Sequence, residues 1–476
     1  MTVGASLMQR EITGLTCDSR QVEPGFLFAA LPGERVDGGT FIAEALNRGA
    51  AAILAPPGPG ADSLSKAIPL ITNANPRRLY ALMAARLHVG QPKSVVAITG
   101  TNGKTSVAAF TRQIWAGLGR QAASIGTLGV QAPGRSVVGN LTTPDPVDLH
   151  RDLQILSESG VEYLAIEASS HGLAQYRLDG VKLAAAAFTN LSRDHLDYHG
   201  SMVTYSEAKL RLFSEVLPEG GVSVINADDP YARVIMEACR SRGHRSLSYG
   251  KLGNDIRLLR STPRAAGQKL DIVVDDLEFS VSLPLIGTFQ AANALCALGL
   301  ALATGAKTRA AVSALEGLEG AQGRLQFIAC RANGASVYVD YAHTPDALIN
   351  VLNALRPHVA GQLDVVFGCG GDRDSGKRAE MGAVAARLAD HVYITDDNPR
   401  SEDPAAIRRD ILATCPGAAE LGDRAMAIQT AVAALGPEDM LIVAGKGHEV
   451  GQVVYEEVHP FLDADQVRAA VMEADA

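Results

Sequence analysis

Residues 95–105 read Val-Val-Ala-Ile-Thr-Gly-Thr-Asn-Gly-Lys-Thr, and this stretch decides the fold class. Its apolar first half, Val95–Ile98, predicts a buried strand, and a helix is predicted from about Thr105 to Leu118. Similar apolar runs follow at 161–166, 184–188 and 222–225, separated by helical stretches. Strands that alternate with helices predict an α/β protein with a mostly parallel sheet covered on both faces.

The turn in the middle of this stretch has the strand-to-helix context of a phosphate-binding loop. Its glycines let the backbone approach phosphates, and the free amides at the helix start stabilise their charge. Lys104 can reach the β and γ phosphates of ATP, and the Thr105 hydroxyl can bind Mg²⁺. Ile98 stands where longer versions of the motif have an earlier glycine. The alternative is a Gly-rich turn with an exposed lysine.

The length of 476 residues predicts about three domains, at roughly 150 residues each. We expect a small α/β domain at 1–91, a central ATP-binding domain at 92–322 and a Rossmann-like domain at 323–476. The third domain contains four more strand candidates, at 337–340, 365–367, 392–395 and 441–444. Ligands of open α/β sheets bind beyond the carboxyl ends of the strands, so the turns there should carry the chemistry.

Composition narrows the functional classes. The net charge of -9 gives no support to a nucleic-acid-binding face. The six cysteines are scattered without a C-x-x-C pair, which argues against a disulfide framework or a structural zinc site. The N-terminus lacks the pattern of a signal peptide, and no uncharged apolar run approaches the roughly 20 residues of a membrane helix. We therefore expect a cytoplasmic protein without membrane insertion.

Two acidic and histidine-bearing turns are candidate metal sites. Glu167 ends a predicted strand, where a carboxylate can bind Mg²⁺ beside the phosphate loop, although it could equally cap a helix. Asp194 and His195 lie in a polar turn with Asp197 and His199, a cluster compatible with a second metal ion.

Five motifs, taken together and in this order, resemble those of the Mur ligases across essentially the whole chain. They are Gly100–Thr105, Glu167–Gly172, Asn190–His195, Asp340–His343 and Gly445–Glu449. The resemblance implies an N-terminal domain for the UDP end of the substrate, a central ATPase, and a C-terminal Rossmann-like domain. It is strongest to the members that add the third residue of the peptide stem. The implied substrates are ATP, UDP-N-acetylmuramoyl-L-Ala-D-Glu and meso-diaminopimelate, with Mg²⁺ as cofactor and a monomeric protein.

The resemblance also implies roles for residues of the central domain. Lys104, Glu167, His195 and Lys209 match catalytic positions. Lys209 matches a lysine that CO₂ converts to a carbamate, N6-carboxylysine, although a lysine in a helical pattern is ordinarily a solvated surface residue. The implied metal ligands are Thr105, Glu167, His195 and carbamylated Lys209. The implied ATP contacts are Gly100, Thr101, Asn102, Gly103, Lys104, Thr105, Ser106, Asn293, Arg324 and Asp340. An interdomain salt bridge is the structural alternative for Arg324 and Asp340.

Contacts to the UDP-linked dipeptide are implied for a further set. They are Ser19, Arg35, Thr142, Thr143, Ser169, Gln175 and Arg177. The family often has Asn before the threonine pair, where this chain has Leu141.

Asp397-Asn398-Pro399-Arg400 is the most informative short motif. Diaminopimelate resembles lysine with an added carboxylate at its far end, and the planar fork of Arg400 can grip both carboxylate oxygens. An Asn-Pro turn after a strand is the plain alternative. The residues matched to diaminopimelate are Arg373, Asp397, Asn398, Pro399, Arg400, Gly445 and Glu449.

Three other functions compete with this interpretation. A lysine-adding Mur ligase differs only in substrate, and a folylpolyglutamate synthetase-like ligase shares the ATPase chemistry but joins glutamate to a folate. A nucleotide-gated binding protein would keep Gly103 and Lys104 but need neither Lys209 nor Arg400. The roles of His171 and His343 remain open between orientation and proton handling.

Overall fold

The computed structural model describes residues 11–33, 36–58, 68–139, 141–264 and 266–476. These residues group into two compact units. The first comprises residues up to Lys104, Gly119–Leu247 and Ala303–Gly305; the second comprises Thr105–Leu118, Ser248–Leu302 and Ala306–Ala476. No helix among the described residues is both long enough and apolar enough to cross a bilayer. All six cysteines are free thiols.

The N-terminal region forms a four-stranded parallel sheet. Its strands in spatial and chain order are β1 (Gly14–Thr16), β2 (Phe26–Ala29), β3 (Ala52–Ala55) and β4 (Leu70–Thr72). Short 3₁₀ turns occupy Ser19–Gln21 and Gly38–Phe41, and helices occupy Ile42–Asn47 and Pro76–Leu87. Phe28 and Ile53, on the two inner strands, are fully buried on one face of the sheet.

The central region contains a sheet of eleven strands. In chain order they are β5 (Ser94–Thr99), β6 (Ala122–Gly126), β7 (Gly129–Ala132), β8 (Arg135–Val137), β9 (Tyr163–Glu167), β10 (Ala185–Phe188), β11 (Val222–Asn226), β12 (Arg245–Gly250), β13 (Ile256–Arg264), β14 (Gly267–Val274) and β15 (Leu277–Leu283). Their spatial order is β15-β14-β13-β12-β11-β10-β5-β9-β6-β7-β8. β5 pairs in parallel with both β9 and β10, which brings the carboxyl ends of these three strands to one edge.

The predicted parallel core is confirmed, and antiparallel strands extend it at both ends. β6, β7 and β8 form an antiparallel meander, as do β13, β14 and β15. These hairpins are not among the strands predicted from the sequence. The helices of the region are Lys104–Gly117, Pro146–Glu158, Ser170–Ala174, Leu196–His199, Met202–Arg211, Ala232–Ser241, Thr288–Ala303 and Thr308–Ser313, with a π turn at Leu212–Val216 and a 3₁₀ turn at Ala314–Gly317.

The C-terminal region has a six-stranded sheet and a separate hairpin. The strands are β16 (Gln326–Cys330), β17 (Ser336–Asp340), β18 (Leu363–Phe367), β19 (His391–Ile394), β20 (Ala419–Glu420) and β21 (Met440–Ala444), in the order β16-β17-β21-β18-β19-β20. The helices are Pro345–Leu355, Gly376–Leu388, Pro404–Leu412, Arg424–Ala434 and Asp463–Ala474, with a 3₁₀ turn at Arg356–His358. β22 (Gly451–Val454) and β23 (Glu457–Pro460) form the antiparallel hairpin. All four strands predicted for this region are present.

Candidate active site

The phosphate loop joins β5 to the helix that begins at Lys104. Gly100 has φ +149°, and a side chain there would collide with the Thr189 hydroxyl. The loop is therefore a cradle that only glycine can form at this point. Asn190 holds it from the side, because its Oδ1 accepts from the Asn102 amide at 2.9 Å and its Nδ2 donates to the Asn102 carbonyl at 3.1 Å. Gly103 has φ +88°.

Two lysines converge on this loop. The Nζ of Lys104 donates to the carbonyl oxygens of Gly100 and Thr101 at 2.9 and 2.8 Å. The Nζ of Lys209 donates to the same Gly100 oxygen at 2.8 Å, from the helix Met202–Arg211. Lys209 is only 1% exposed, so it is not the solvated lysine that its helical pattern also allowed. Burial, assisted by the charge of Lys104, lowers the pKa of Lys209 well below its usual value, while Asp194 opposes the shift.

Glu167 lies at the carboxyl end of β9 and is buried. Its Oε1 accepts from the Thr127 amide at 2.8 Å, and its Oε2 accepts from the Thr127 hydroxyl at 3.3 Å. The adjacent helix is capped by the Ser169 hydroxyl, which accepts from the Gly172 amide at 3.0 Å. Glu167 is therefore not the cap of that helix, and its carboxylate faces the end of the parallel strands.

Three histidines form an aromatic cluster around the helix Leu196–His199. The ring of His171 lies 4.8 Å from that of His195 and 5.5 Å from that of His199. Burial, with help from the other two rings, lowers the pKa of His171 to about 4. His195 has φ +50°, a left-handed conformation that is costly for a residue with a side chain, and its ring stays half exposed. The buried Nε2 of His199 has no hydrogen-bond partner among the described residues.

Five of the residues matched to the UDP-linked dipeptide form one hydrogen-bond network. The Thr143 hydroxyl donates to the Glu167 carbonyl at 2.7 Å and lies 3.0 Å from the Ser169 hydroxyl. Arg177 donates to the Thr143 carbonyl and to the Gln175 side chain, each at 2.7 Å. The network continues from Gln175 to the Tyr198 hydroxyl at 3.0 Å, and Thr142 joins through Thr127, with 3.1 Å between their hydroxyl oxygens.

The remaining two candidates for this substrate lie outside the network. The buried Ser19 hydroxyl donates to Glu44 Oε2 at 2.7 Å. Arg35 lies outside the described residues. Leu141, the departure from the family pattern, is 46% exposed and offers an apolar surface where a polar contact was expected.

The nucleotide candidates of the second unit are linked through a residue that the sequence analysis missed. Gln290 accepts from Asn293 Nδ2 at 3.0 Å and donates to the Arg324 carbonyl at 3.2 Å. The Arg324 guanidinium lies 4.8 Å from the centre of the Tyr341 ring. Asp340 Oδ2 accepts from the Leu325 amide at 2.6 Å, and desolvation raises the pKa of Asp340 while Arg324 opposes the shift. Thr105 and Ser106 are both buried in the first turn of their helix.

The segment Asp397–Arg400 is clamped by the hairpin β22–β23. The Arg400 amide donates to the Val453 carbonyl at 3.1 Å, and the Tyr455 amide donates to the Arg400 carbonyl at 2.7 Å. Arg400 has φ +51°, so the paired backbone holds it in a conformation it would otherwise avoid. An isolated parallel bridge between Arg400 and Val454 therefore ties the segment to the hairpin, which a plain Asn-Pro turn would not need.

The side chains of this segment have separate roles in the local structure. Asn398 Nδ2 donates to Glu449 Oε2 at 2.8 Å. Arg400 Nη1 donates to the Gly371 carbonyl at 2.7 Å. Arg373 is exposed in the same Gly371-containing loop. Gly445 has φ +113°, and a Cβ there would lie 2.8 Å from Asp397 Oδ2.

Two residues that shape the site, Thr127 and Gln290, carry no sequence motif, and nothing in their neighbourhood of the sequence distinguishes them. Three others stand in patterns already singled out: Tyr198 lies beside Asp197 and His199, Tyr341 lies inside the Asp340–His343 motif, and the fully buried Lys446 lies inside the Gly445–Glu449 motif. These patterns could have identified them.

Comparisons with known proteins agree with this arrangement. The Mur ligase family catalytic domain matches residues 11–90, the Mur ligase middle domain matches 98–301, and the Mur ligase glutamate ligase domain matches 323–447. A UDP-N-acetylmuramoyl-L-alanyl-D-glutamate–2,6-diaminopimelate ligase of Mesorhizobium japonicum is 52% identical over 473 residues, 99% of this chain and 97% of the relative.

Solved structures give the same result at the level of the fold. A structure of a UDP-N-acetylmuramoyl-L-alanyl-D-glutamate–2,6-diaminopimelate ligase is 34% identical, with a TM-score of 0.76 over 100% of this chain and 98% of the other. Folylpolyglutamate synthase of Mycobacterium tuberculosis, complexed with ADP and AMPPCP, shares the fold at 19% identity, with a TM-score of 0.60 over 77% of this chain and 92% of that one. The three family domains and the full-length relatives establish that this chain belongs to the Mur ligase family.

Proposed function

We propose that this chain is an ATP-dependent ligase that joins meso-diaminopimelate to the D-Glu γ-carboxylate of UDP-N-acetylmuramoyl-L-Ala-D-Glu. The observation that carries the proposal is the placement of Arg400. Its backbone is paired with Val453 and Tyr455, and its guanidinium lies in the loop region that also contains Arg373. An arginine fixed in this way suits a substrate with a carboxylate at its far end.

The proposed reaction has two steps. A γ-carboxylate oxygen of D-Glu attacks the γ-phosphorus of ATP, the bond from that phosphorus to the bridging oxygen breaks, and ADP leaves with the bonding electrons. The free amine of diaminopimelate then attacks the acyl carbon of the acyl phosphate. The carbon–oxygen bond to phosphate breaks, phosphate leaves, and the amine loses a proton to form the amide.

The groups of the phosphate loop would mainly position the phosphates of ATP and neutralise their charge. The Lys104 ammonium donates hydrogen bonds to two carbonyl oxygens of the loop, and it can exchange them for hydrogen bonds to phosphate oxygens. The absence of a side chain at Gly100 lets the loop pack closely against Thr189 and Asn190, which holds it in this shape. We propose Asn293, Arg324 and Asp340 as further ATP contacts. Positioning and preorganised charge are enough for phosphoryl transfer, so a protein nucleophile is not required.

The residues present fit Mg²⁺ as the cofactor. Glu167 supplies a buried carboxylate and Thr105 a hydroxyl, and these hard oxygen ligands are what Mg²⁺ prefers. No group of three or more His, Cys, Asp or Glu side chains among the described residues is arranged to hold a metal alone. Mg²⁺ usually keeps water and substrate phosphates as ligands, so a sparse set of protein ligands suits it. When bound, Mg²⁺ would neutralise charge on the transferring phosphoryl group.

We propose that Lys209 is carbamylated and, with His195, completes a second Mg²⁺ site. Its lowered pKa supports this modification, since only the neutral amine attacks CO₂. The nitrogen forms a bond to the CO₂ carbon and releases one proton, which leaves an anionic carboxylate on the side chain. That product would face Lys104 as an opposite charge instead of a like charge.

A phosphate-release assay tests the proposed function. ATP, Mg²⁺ and UDP-N-acetylmuramoyl-L-Ala-D-Glu are supplied with meso-diaminopimelate or L-lysine in parallel. We expect turnover with diaminopimelate and much less with lysine. Turnover with lysine at a similar rate would replace the proposal with a lysine-adding ligase. Absence of turnover with both, together with turnover of a folate and glutamate, would replace it with the folylpolyglutamate synthetase-like function, which shares the fold.

The other properties proposed for the enzyme follow from the same assignment. We propose a cytoplasmic monomer of peptidoglycan precursor synthesis, with no nucleic-acid partner, and the three-domain division at 1–91, 92–322 and 323–476. The residues matched to the UDP-linked dipeptide are proposed as its contacts, with the connected network of Thr143, Ser169, Gln175 and Arg177 as the structural support.

A further inference from the structure

Lys446 occupies an unusual position for a lysine. It stands two residues beyond the end of β21, between Gly445 and Gly447, whose φ values are +113° and +57°. These left-handed conformations suit glycine on both sides of the lysine. The Lys446 side chain is 0% exposed, although lysine is rarely buried without partners.

The buried ammonium is fully matched by acceptors. Its Nζ donates to the Gly451 carbonyl at 2.6 Å, to Asn398 Oδ1 at 3.1 Å and to Glu449 Oε2 at 3.2 Å. An ammonium has three donors and no acceptor, so these bonds use its whole capacity. Removing the ammonium would leave three acceptors inside the protein without this donor.

The bonds of Lys446 fix the orientation of Asn398. Because Lys446 and the Val453 amide can only donate, Asn398 must direct Oδ1 toward both, at 3.1 and 2.8 Å. The amide nitrogen of Asn398 then points to Glu449 Oε2, at 2.8 Å. Lys446 and Asn398 therefore hold the same carboxylate oxygen of Glu449, whose side chain remains 32% exposed.

We propose that Lys446 is a positioning residue of the amino-acid pocket: its ammonium holds Asn398 and Glu449 in the geometry that receives the charged far end of the substrate amino acid. This inference rests on the proposed function, because it takes Asn398 and Glu449 as contacts to that substrate. Lys446 itself uses its three donors within the protein and touches no substrate. Its charge also offsets that of Glu449, so that the carboxylate can stay in a partly buried place.

Steady-state kinetics of Lys446→Met test the inference. We expect the KM for meso-diaminopimelate to rise by about tenfold or more, because two pocket side chains lose a charged hydrogen-bond partner. The KM values for ATP and for the UDP-linked dipeptide should stay within about twofold. Lys307→Met is the matched control, since Lys307 is exposed in the same unit, and it should leave all three KM values unchanged.

A double-mutant cycle separates positioning from an independent effect. Glu449→Gln alone should raise the KM for diaminopimelate, and adding Lys446→Met should raise it by a smaller factor than Lys446→Met does in the wild type, because the two residues share one contact. Full additivity would overturn the proposal. So would an unchanged KM for diaminopimelate in Lys446→Met, or an equal rise in all three KM values.

Folding and the proposed function are controlled separately. If Lys446→Met does not fold, Lys446→Leu, which also removes all three donors, serves for the same comparison; a wild-type KM for diaminopimelate in that variant, or failure of both variants to fold, overturns the positioning role. Loss of the proposed function appears instead as a wild-type enzyme that releases no phosphate with diaminopimelate.

Discussion

Lys104 and Lys209 donate to one shared acceptor, the carbonyl oxygen of Gly100, at 2.9 and 2.8 Å. Two cations brought this close repel each other, and the buried one holds its proton less firmly. Burial is the main cause that lowers the pKa of Lys209 well below its usual value, and this repulsion adds to it. The arrangement favours a reaction that replaces the second cation with an anion.

The first prediction is that Lys209 carries activity through its carbamate. Lys209→Met should lower phosphate release on the order of 100-fold, the scale seen when one preorganised group of a charged transition state is lost. Removing CO₂ from wild-type enzyme should lower the rate, and bicarbonate should restore it. Lys182→Met, at an exposed position, is the control. A Lys209→Met variant with wild-type turnover would contradict the carbamate.

The second prediction concerns selectivity at Arg400. Arg400→Ala should lower kcat/KM for diaminopimelate by roughly 10- to 100-fold, because the far carboxylate loses a charged partner worth about 1.5–3 kcal/mol. The rate with L-lysine should change much less, so the ratio of the two substrates is the decisive measurement. Arg409→Ala removes an exposed arginine from the same unit and should leave the ratio unchanged. A uniform loss with both amino acids would show that Arg400 supports the loop and not the selectivity.

The third prediction concerns a buried ion pair. Arg424 donates to both oxygens of Asp463 at 2.7 and 2.8 Å, and both side chains are 0% exposed. Arg424→Met should cost roughly 3–5 kcal/mol of unfolding free energy, because Asp463 is left as an uncompensated buried charge. Adding Asp463→Leu should recover most of that loss.

Urea unfolding, monitored by circular dichroism, measures the free energy of unfolding of these variants. Arg468→Met breaks an exposed pair with Asp465 and should change the unfolding free energy by less than about 1 kcal/mol. Equal losses from Arg424→Met and from the double variant would mean that packing, and not charge compensation, sets the cost.

The fourth prediction concerns the pH dependence of stability at Asp340. Its pKa is raised by desolvation, so the folded protein holds this proton more tightly than the unfolded chain does. Between the unfolded pKa of about 3.9 and the higher folded pKa, the folded state binds more protons. The stability contribution of Asp340 therefore falls as pH rises through that window, and the loss persists above it.

The melting temperature of Asp340→Asn, taken relative to that of the wild type, should therefore be higher at pH 8 than at pH 4. Asp271 provides a control of opposite sign, since its hydrogen bond from Arg260 lowers its pKa. The melting temperature of Asp271→Asn, relative to that of the wild type, should be lower at pH 8 than at pH 4. The reason is that an ionised Asp271 stabilises the fold above its unfolded pKa. A difference between Asp340→Asn and wild type that does not change with pH would contradict the prediction.

Those parts of the site that are formed by a continuous stretch of chain could be predicted from the sequence. A phosphate loop is continuous from Gly100 to Thr105, and the strand before it and the helix after it are both visible as hydrophobic patterns. Glu167 could be placed at a strand end for the same reason. In a parallel sheet the carboxyl ends of the strands share an edge, so residues predicted at separate strand ends can be expected to lie close together.

The rest depends on partners that are distant in the chain. The burial of Lys209 follows from packing against a loop 109 residues earlier, and a helical pattern of mixed residues gives no sign of it. Strands β7 and β8 are only 4 and 3 residues long, so their hydrophobic pattern is weak. Strands β14 and β15 are longer and alternate apolar with polar residues, so this pattern could have predicted them. The Gly445–Glu449 motif marks Lys446 as a residue of interest, but its burial depends partly on Asn398, which lies 48 residues earlier in the chain.

The backbone pairing of Arg400 with Val453 and Tyr455 limits how portable the selectivity motif is. A transplant of Asp397–Arg400 into a lysine-adding relative would carry four side chains but not the hairpin that sets their direction. The arginine would then relax to an ordinary φ and aim elsewhere, and the recipient would lose its old preference without gaining the new one. Conversion of one ligase into the other should require the hairpin and the motif to be exchanged as a single cassette.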